Sequence, residues 1–366
     1  MSYFENDLPV PMYHIVTDQD AEKWFSYVKK SVDYDIYHTL HYHTLDKRGE
    51  PILFVYEEGE TFIALPLLKR TIENANYCDF TSSYGYAGPI SNKKFESLTN
   101  SLIANFKYSF VNFMQKNQAV SVFSRLNPFI NQQFLLEKMG GLRSNGKTIY
   151  IDLMQPIEEQ RSKYDKRLGR QIRQLRKKGY VVKEADTQEE IRLFTIMYNK
   201  NMERLEADKS YFFTEEYFSA LLENSEFNCK LILIYDGEEM ICGATVIWSD
   251  DVIRNHLSAT SESHIHFSPS KLIVDEISLI GRELGMKFFH LGGGVGGKQD
   301  TLFKFKSLFS DLLLDDNIWC FIADESAYNK LVEEKKTGQS KDYFPLYRNV
   351  QNAVEQPKSY TNEKQV

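Results

Sequence analysis

LILIYDGEEMICGATVIWSDDVIRNHLS (residues 231–258), followed by MKFFHLGGGVGG (286–297), is the stretch on which the fold turns. Apolar, β-branched runs at 231–235, 240–248 and 252–258 are separated by tight polar turns such as Asp236-Gly237, which predicts a three-stranded meander. Pro269 then opens a helix that carries Ile273, Ile277, Ile280 and Leu284 on one face, and Gly285 closes it. The strand at 286–291 runs into Gly292-Gly293-Gly294-Val295-Gly296-Gly297, and helix resumes over 301–309. Strand, glycine-rich loop and helix together offer backbone N–H groups and a positive helix end to an anion. Lys298 is followed by Gln299, so GxxxxGK[ST] is not met, and GxGxxG is absent. Lys298, Lys304 and Lys306, interleaved with Phe305 and Phe309, point to a phosphate-bearing or nucleotide-like substrate. Gly292, Gly293, Gly294 and Phe305 are its candidate contacts.

Upstream, a strand ends near Pro156, and the composition changes to RSKYDKRLGRQIRQLRKK at 161–178. The change marks a domain boundary, with one unit over 1–155 and a second over 156–320. On a helical wheel Leu168, Ile172 and Leu175 share one stripe, while Lys166, Arg170, Arg173 and Lys177 share the opposite one. The leucine stripe is expected to pack. The basic ridge suits phosphates, an anionic membrane face or a nucleic-acid backbone, with Arg170 and Arg173 as candidate contacts. Thr187 and Glu190 stand in capping-box spacing at the head of a helix over 187–205. Nearer the amino terminus, a helix over 21–30, a hairpin around Glu58-Gly59 and a helix over 94–116 are expected. Between the last two lies TSSYGYAGP (81–89), a loop fit to line a cleft through Ser82, Tyr84 and Tyr86.

A chain of 366 residues predicts two domains, and 42% hydrophobic with 26% charged residues is an ordinary globular balance. The net charge of −7 disfavours a general nucleic-acid binder. The start, acidic and broken by Pro9 and Pro11, does not resemble a secretory signal, and no apolar run approaches the ~20 residues of a membrane span. A cytoplasmic location follows as an expectation. Four scattered cysteines, and histidines at 256, 264, 266 and 290, lack metal-ligand spacing, so no metal is expected. The polar tail over 354–366, with Pro357, is expected to be loose.

Several segments in order resemble the FemAB family of peptidoglycan-bridge aminoacyltransferases and its relatives in the GNAT acyltransferase superfamily. They are Arg176-Lys-Lys-Gly-Tyr180, Tyr198-Asn-Lys-Asn-Met-Glu-Arg204 with Tyr211-Phe-Phe213, the meander, Ser268-Pro-Ser-Lys271, His290-Leu-Gly-Gly-Gly294 and Phe305-Lys-Ser-Leu-Phe309. The resemblance implies an α/β (α+β) chain of two tandem GNAT-like domains, with mixed central sheets flanked by helices and residues at about 321–350 completing the first domain. It implies an acyl- or aminoacyltransferase that forms an amide on a cell-envelope precursor, UDP-linked or lipid-linked, with no bound cofactor. The donor would be acyl-CoA or aminoacyl-tRNA, although the [QR]xxGx[GA] acetyl-CoA loop and the long helical arm of some members are lacking. Lys306 falls on the FKxxF lysine. Tyr198 or Tyr211 would relay a proton, Lys306 and Arg170 would bind phosphates, and Ser82, Tyr84 and Tyr86 would line the acceptor side, with Arg204, His256 and Ser270 as further contacts. The alternatives are an acyl-CoA-dependent N-acyltransferase acting on an amino sugar nucleotide and a non-catalytic protein that binds a glycan precursor or an anionic membrane.

Overall fold

The computed structural model of the chain describes residues 12–335 and 343–349; the tail expected to be loose lies outside them. Its strands are β1 (Tyr13–Thr17), β2 (Glu50–Glu58), β3 (Thr61–Thr71), β4 (Cys78–Thr81), β5 (Ile90–Ser91), β6 (Ala119–Arg125) and β7 (Leu142–Asp152). There follow β8 (Val181–Glu184), β9 (Asn228–Asp236), β10 (Glu239–Ser249), β11 (Val252–Thr260), β12 (Phe288–Gly292) and β13 (Leu313–Ile322). All thirteen join one mixed sheet in the order β1-β2-β3-β4-β6-β13-β7-β12-β11-β10-β9-β8, with β5 paired to β3 beside this path.

That order reads alike from either edge. Each half presents four strands, then a parallel pair, β4 with β6 and β11 with β12. The last strand of each half then adds to the other half: β13 pairs with β6, and β7 pairs with β12, both antiparallel. β7 and β13 also pair with each other. The exchange fuses what the sequence suggests as two sheets into one, because ladder hydrogen bonds continue across the junction.

The two cores differ in composition. The first is aromatic, with Phe54, Phe80, Phe106, Phe110, Phe113 and Trp319 buried together. The second is aliphatic, built on Ile149, Ile151, Ile232, Ile234, Ile253, Ile273 and Ile277. Leu168, Ile172 and Leu175 bury the apolar stripe of the helix Lys166–Lys177, which packs on the helix Ser270–Glu283. The expected helix over 94–116 begins later, at Asn100, because the Thr99 hydroxyl caps it through Leu102 N–H, and 95–97 forms a separate 3-10 turn. The helix expected over 301–309 is Thr301–Lys306. Among the described residues no helix is long and apolar enough to cross a membrane.

Candidate active site at the centre of the sheet

The parallel strands β11 and β12 pair over only three residues, Val252 with Phe288, Ile253 with Phe289 and Arg254 with His290. Beyond that point they separate, β11 continuing to Thr260 and β12 ending at Gly292. A register shift between Thr245 and Val246 leaves His256 as the extra residue of a bulge just past the split. Backbone groups that open between diverging strands need other partners, so a split of this kind is a natural ligand slot.

The loop 81–89 of the first half reaches into this region, and it is held stiffly. Gln132, fully buried, receives Asn127 N–H on its side-chain oxygen and donates to the Ala87 and Pro89 carbonyls. The Tyr42 hydroxyl donates to the Tyr84 carbonyl at 2.7 Å. Gly85, at φ +126°, passes so close to Tyr37 that a Cβ would sit 2.2 Å from the ring.

Two tyrosines of this loop divide the site. The Tyr84 ring meets Tyr211 at 6.0 Å and His256 at 5.9 Å. The Tyr217 hydroxyl lies 3.3 Å from His256 Nε2. Burial, reinforced by Arg254, lowers the His256 pKa to about 3, so the ring is neutral. The Tyr86 ring meets His290 edge-on at 4.9 Å. Its hydroxyl stands at the Gly292 turn, where a Cβ would lie 3.3 Å from that oxygen and 3.2 Å from Lys306 Nζ. Lys306 Nζ donates to the Gly293 carbonyl at 2.6 Å, and burial lowers its pKa to about 8.

Below the split Arg254 is 2% exposed, with Nη2 2.5 Å from Asp35 Oδ2 and its guanidinium between the Tyr37 and Phe129 rings. Asp35 also accepts from Ile36 N–H, Asn127 and Ser249, so this pair ties the first half to β11. Arg125, the last residue of β6, faces the Tyr86 ring at 5.5 Å. Asp316 on β13 is buried and accepts from Asn145.

Of the residues singled out from sequence, Tyr84, Tyr211 and His256 come together on one side, and Tyr86, Gly292, Gly293 and Lys306 on the other. Tyr198 backs the first group, packed on Phe194, Phe213 and Phe218 with its hydroxyl pKa raised by burial. Ser82 is buried as framework, its N–H bonded to the Phe123 carbonyl. Phe305 belongs to the second core, against Phe309. Arg170 and Arg173 stay on the exposed face of their helix, and exposed Arg204 donates to Asn201. Ser270 stands in the first turn of its helix, just after left-handed Ser268.

The glycine-rich loop differs from the anion cradle expected of it. Asp300 caps the short helix Thr301–Lys306 and also accepts from Val295 N–H, so its own carboxylate fills the anion position. The glycines answer a close crossing instead: a Cβ on Gly297 would lie 1.5 Å from the Asn145 carbonyl oxygen on β7. The helix end is therefore not open to an anion. Among the described residues no cluster of His, Cys, Asp and Glu is placed to hold a metal. Surface depressions of about 380 and 280 Å3 lie around Tyr27 and around Phe129; neither contains the cations and turn described above.

Sequence reasoning missed Arg125, Arg254 and Asp35. A signal was present for Arg254, a charge following the apolar pair Val252-Ile253 of a strand, and a weaker one for Arg125, which ends the strand AVSVFSR.

Residues 162–305 match the family model described as the acetyltransferase (GNAT) domain. No protein of curated function matches the chain by sequence. Among solved structures, FemX is similar at 12% identity and TM-score 0.66, over 87% of this chain and 99% of that one. The structure titled L-PGS from Bacillus licheniformis is similar at 14% identity and TM-score 0.55, over 85% and 94%. The C-terminal domain of a lysylphosphatidylglycerol synthetase from Agrobacterium fabrum, itself assigned provisionally, follows at 14% identity and TM-score 0.53, over 84% and 93%.

Proposed function

From the match of residues 162–305 to the GNAT acetyltransferase domain we propose that this chain is a FemAB-like GNAT acyltransferase, which transfers an acyl or aminoacyl group to the amine of a cell-envelope precursor. The supporting observation is the split of β11 from β12, with the Gly292–Gly293 turn, the Tyr86 hydroxyl and the Lys306 ammonium at its mouth.

An activated ester or thioester needs no protein nucleophile. The amine nitrogen attacks the carbonyl carbon, a C–N bond forms, the C–O or C–S bond breaks, and the proton that the nitrogen gives up passes to the leaving alcohol or thiol. The protein's work is then to align the two reactants and to stabilise the developing oxyanion. Lys306, held by the Gly293 carbonyl in a low-dielectric corner, is the group we assign to the developing or resident negative charge. Tyr211, beside Tyr84, is the candidate proton relay, and Tyr198 stands behind it. Tyr84 and Tyr86 face the acceptor.

The likeness to a lysylphosphatidylglycerol synthetase supports an envelope substrate, and a cytoplasmic enzyme acting on a UDP-linked or lipid-linked precursor is consistent with it. Aminoacyl-tRNA and acyl-CoA are both donors of the required chemistry.

Melting the purified protein with acetyl-CoA, aminoacyl-tRNA, UDP-linked sugars or muropeptides separates these donors and acceptors, since selective binding raises the melting temperature. Turnover that survives Lys306→Ala would sink the assignment of Lys306. Binding without turnover on any activated donor would leave a non-catalytic precursor-binding protein.

A further inference from the structure

Arg125 is the one charged group at the split that the mechanism above leaves unused. Its neighbours are engaged: Arg254 with Asp35, Lys306 with the Gly293 carbonyl and Asp316 with Asn145. Among the described residues the Arg125 side chain has neither a hydrogen bond nor an ion pair, and its contact is the face of Tyr86. A guanidinium stacked on a ring keeps its N–H edge free for a planar, two-oxygen partner. Tyr86 in turn meets His290 edge-on at 4.9 Å, and Arg125 lies near enough to His290 and Lys306 to lower the pKa of both.

A second observation marks the same space. His290 is 2% exposed and its Nε2 has no partner, and Asp316, also 2% exposed, has one oxygen without a partner. Orphaned buried polar atoms are rare in folded proteins, and these indicate a place completed by a ligand: His290 Nε2 can donate to an acidic group, and the open Asp316 oxygen can accept from an N–H of the same ligand.

The charges say what kind of ligand. Arg254 pairs with Asp35 and His290 is neutral, while Asp300 and Asp316 both act on Lys306. Arg125 is left as the cation with no ion pair of its own, which suits one carboxylate rather than a diphosphate.

Resting on the acyltransferase reading, we propose that Arg125 is a specificity residue that binds a substrate carboxylate between itself and Lys306, so that one reactant is an amino acid or a peptide bearing a free carboxylate. The test uses the full chain with two probes that share their amines, lysyl-alanine and lysyl-alaninamide, and measures both dissociation constants by calorimetry. The carboxylate form binds about tenfold tighter, the worth of one charge-assisted hydrogen bond. Arg125→Gln removes that difference while leaving the amide's affinity unchanged, and Arg125→Lys restores part of it. Equal affinities in the wild type, no binding of either probe, or a preference that survives Arg125→Gln overturns the proposal. Inorganic phosphate displacing lysyl-alanine better than acetate does overturns it in favour of a phosphate site. The wild-type comparison stands even if Arg125→Gln fails to fold. Donor-dependent turnover is scored separately: turnover with an unchanged Arg125→Gln profile removes this inference alone, and a carboxylate preference without turnover removes only the acyltransferase reading.

Discussion

Buried charge is handled in opposite ways in the two halves. In the first half Asp79, fully buried, has both oxygens occupied: Arg70 and Arg348 donate to Oδ1, and Tyr347 and Arg348 donate to Oδ2. Tyr347 also shares a hydrogen bond with Ser121, and Arg348 donates to the Thr71 carbonyl, so the network pins residues 346–348 to β3, β4 and β6. At the split, by contrast, His290 Nε2 and one Asp316 oxygen have no partner, and Arg254 meets Asp35 as an ion pair without an aligned hydrogen bond. A buried group with every bond made is a structural staple, and a cluster of buried groups with bonds left open is a place prepared for something else. The parallel strand pairs repeat the contrast: beyond β4 and β6 the Ala87–Leu126 bridge closes the gap, whereas β11 and β12 simply part.

Exchanging the roles of the two regions by mutation sharpens this difference. The largest effect is expected for Lys306→Ala, which lowers kcat by about 10²–10³-fold, the usual cost of removing one electrostatic stabiliser, with the fold retained in urea unfolding. Asp79→Ala does the reverse. It leaves Arg70 and Arg348 around an empty centre and destabilises the fold by about 3–5 kcal/mol in urea unfolding, while turnover per folded molecule is retained. Should Asp79→Ala spare stability and abolish turnover, the division between staple and site is wrong.

Gly297→Ala couples the two regions, since Gly297 has φ +75° and no room for a Cβ against Asn145 on β7. A loss of about 1–3 kcal/mol is expected, together with a lower kcat as the loop shifts away from Lys306.

The pH dependence of Lys306 comes next. Burial lowers its pKa from 10.5 to about 8, so the folded chain holds this proton less tightly than the unfolded chain. The penalty is full below about pH 8, where both states are protonated, and it vanishes toward about pH 10.5. Lys306→Met is therefore more stable than wild type at about pH 7, and its advantage shrinks between about pH 8 and 10.5, which urea titrations at several pH values measure directly. If Lys306 acts as a cation, kcat/KM falls as the pH rises through about 8. The smallest effect belongs to Arg170→Ala with Arg173→Ala. Stability changes by no more than about 0.5 kcal/mol, and any loss of affinity for a polyanionic donor fades with added salt.

Local pattern carried much of this protein. The meander, the isoleucine stripe of Ser270–Glu283 and the two faces of Lys166–Lys177 are periodicities, and a periodic apolar face must be buried wherever the chain goes. The turn at 292–294 and its neighbour Lys306 were legible because glycines and a lysine in a short span carry a local signal. What a particular side chain does there was less so: Phe305 looks like a ligand contact by its spacing and is core, and the helix end that looked open to an anion is filled by Asp300.

By itself, the sequence determined the meander, the helices Lys166–Lys177 and Ser270–Glu283 and the faces these bury, because these follow from side-chain spacing within a few residues. Tertiary structure alone decided the exchange of β7 and β13, the pairing of Asp35 with Arg254, and the meeting of Arg125, Tyr86, His290 and Lys306. Those partners lie far apart along the chain, and charge or aromaticity at one position does not name its partner. Only the register of the completed sheet brings the ends of β6 and β12 to the same place and leaves their polar atoms without bonds of their own.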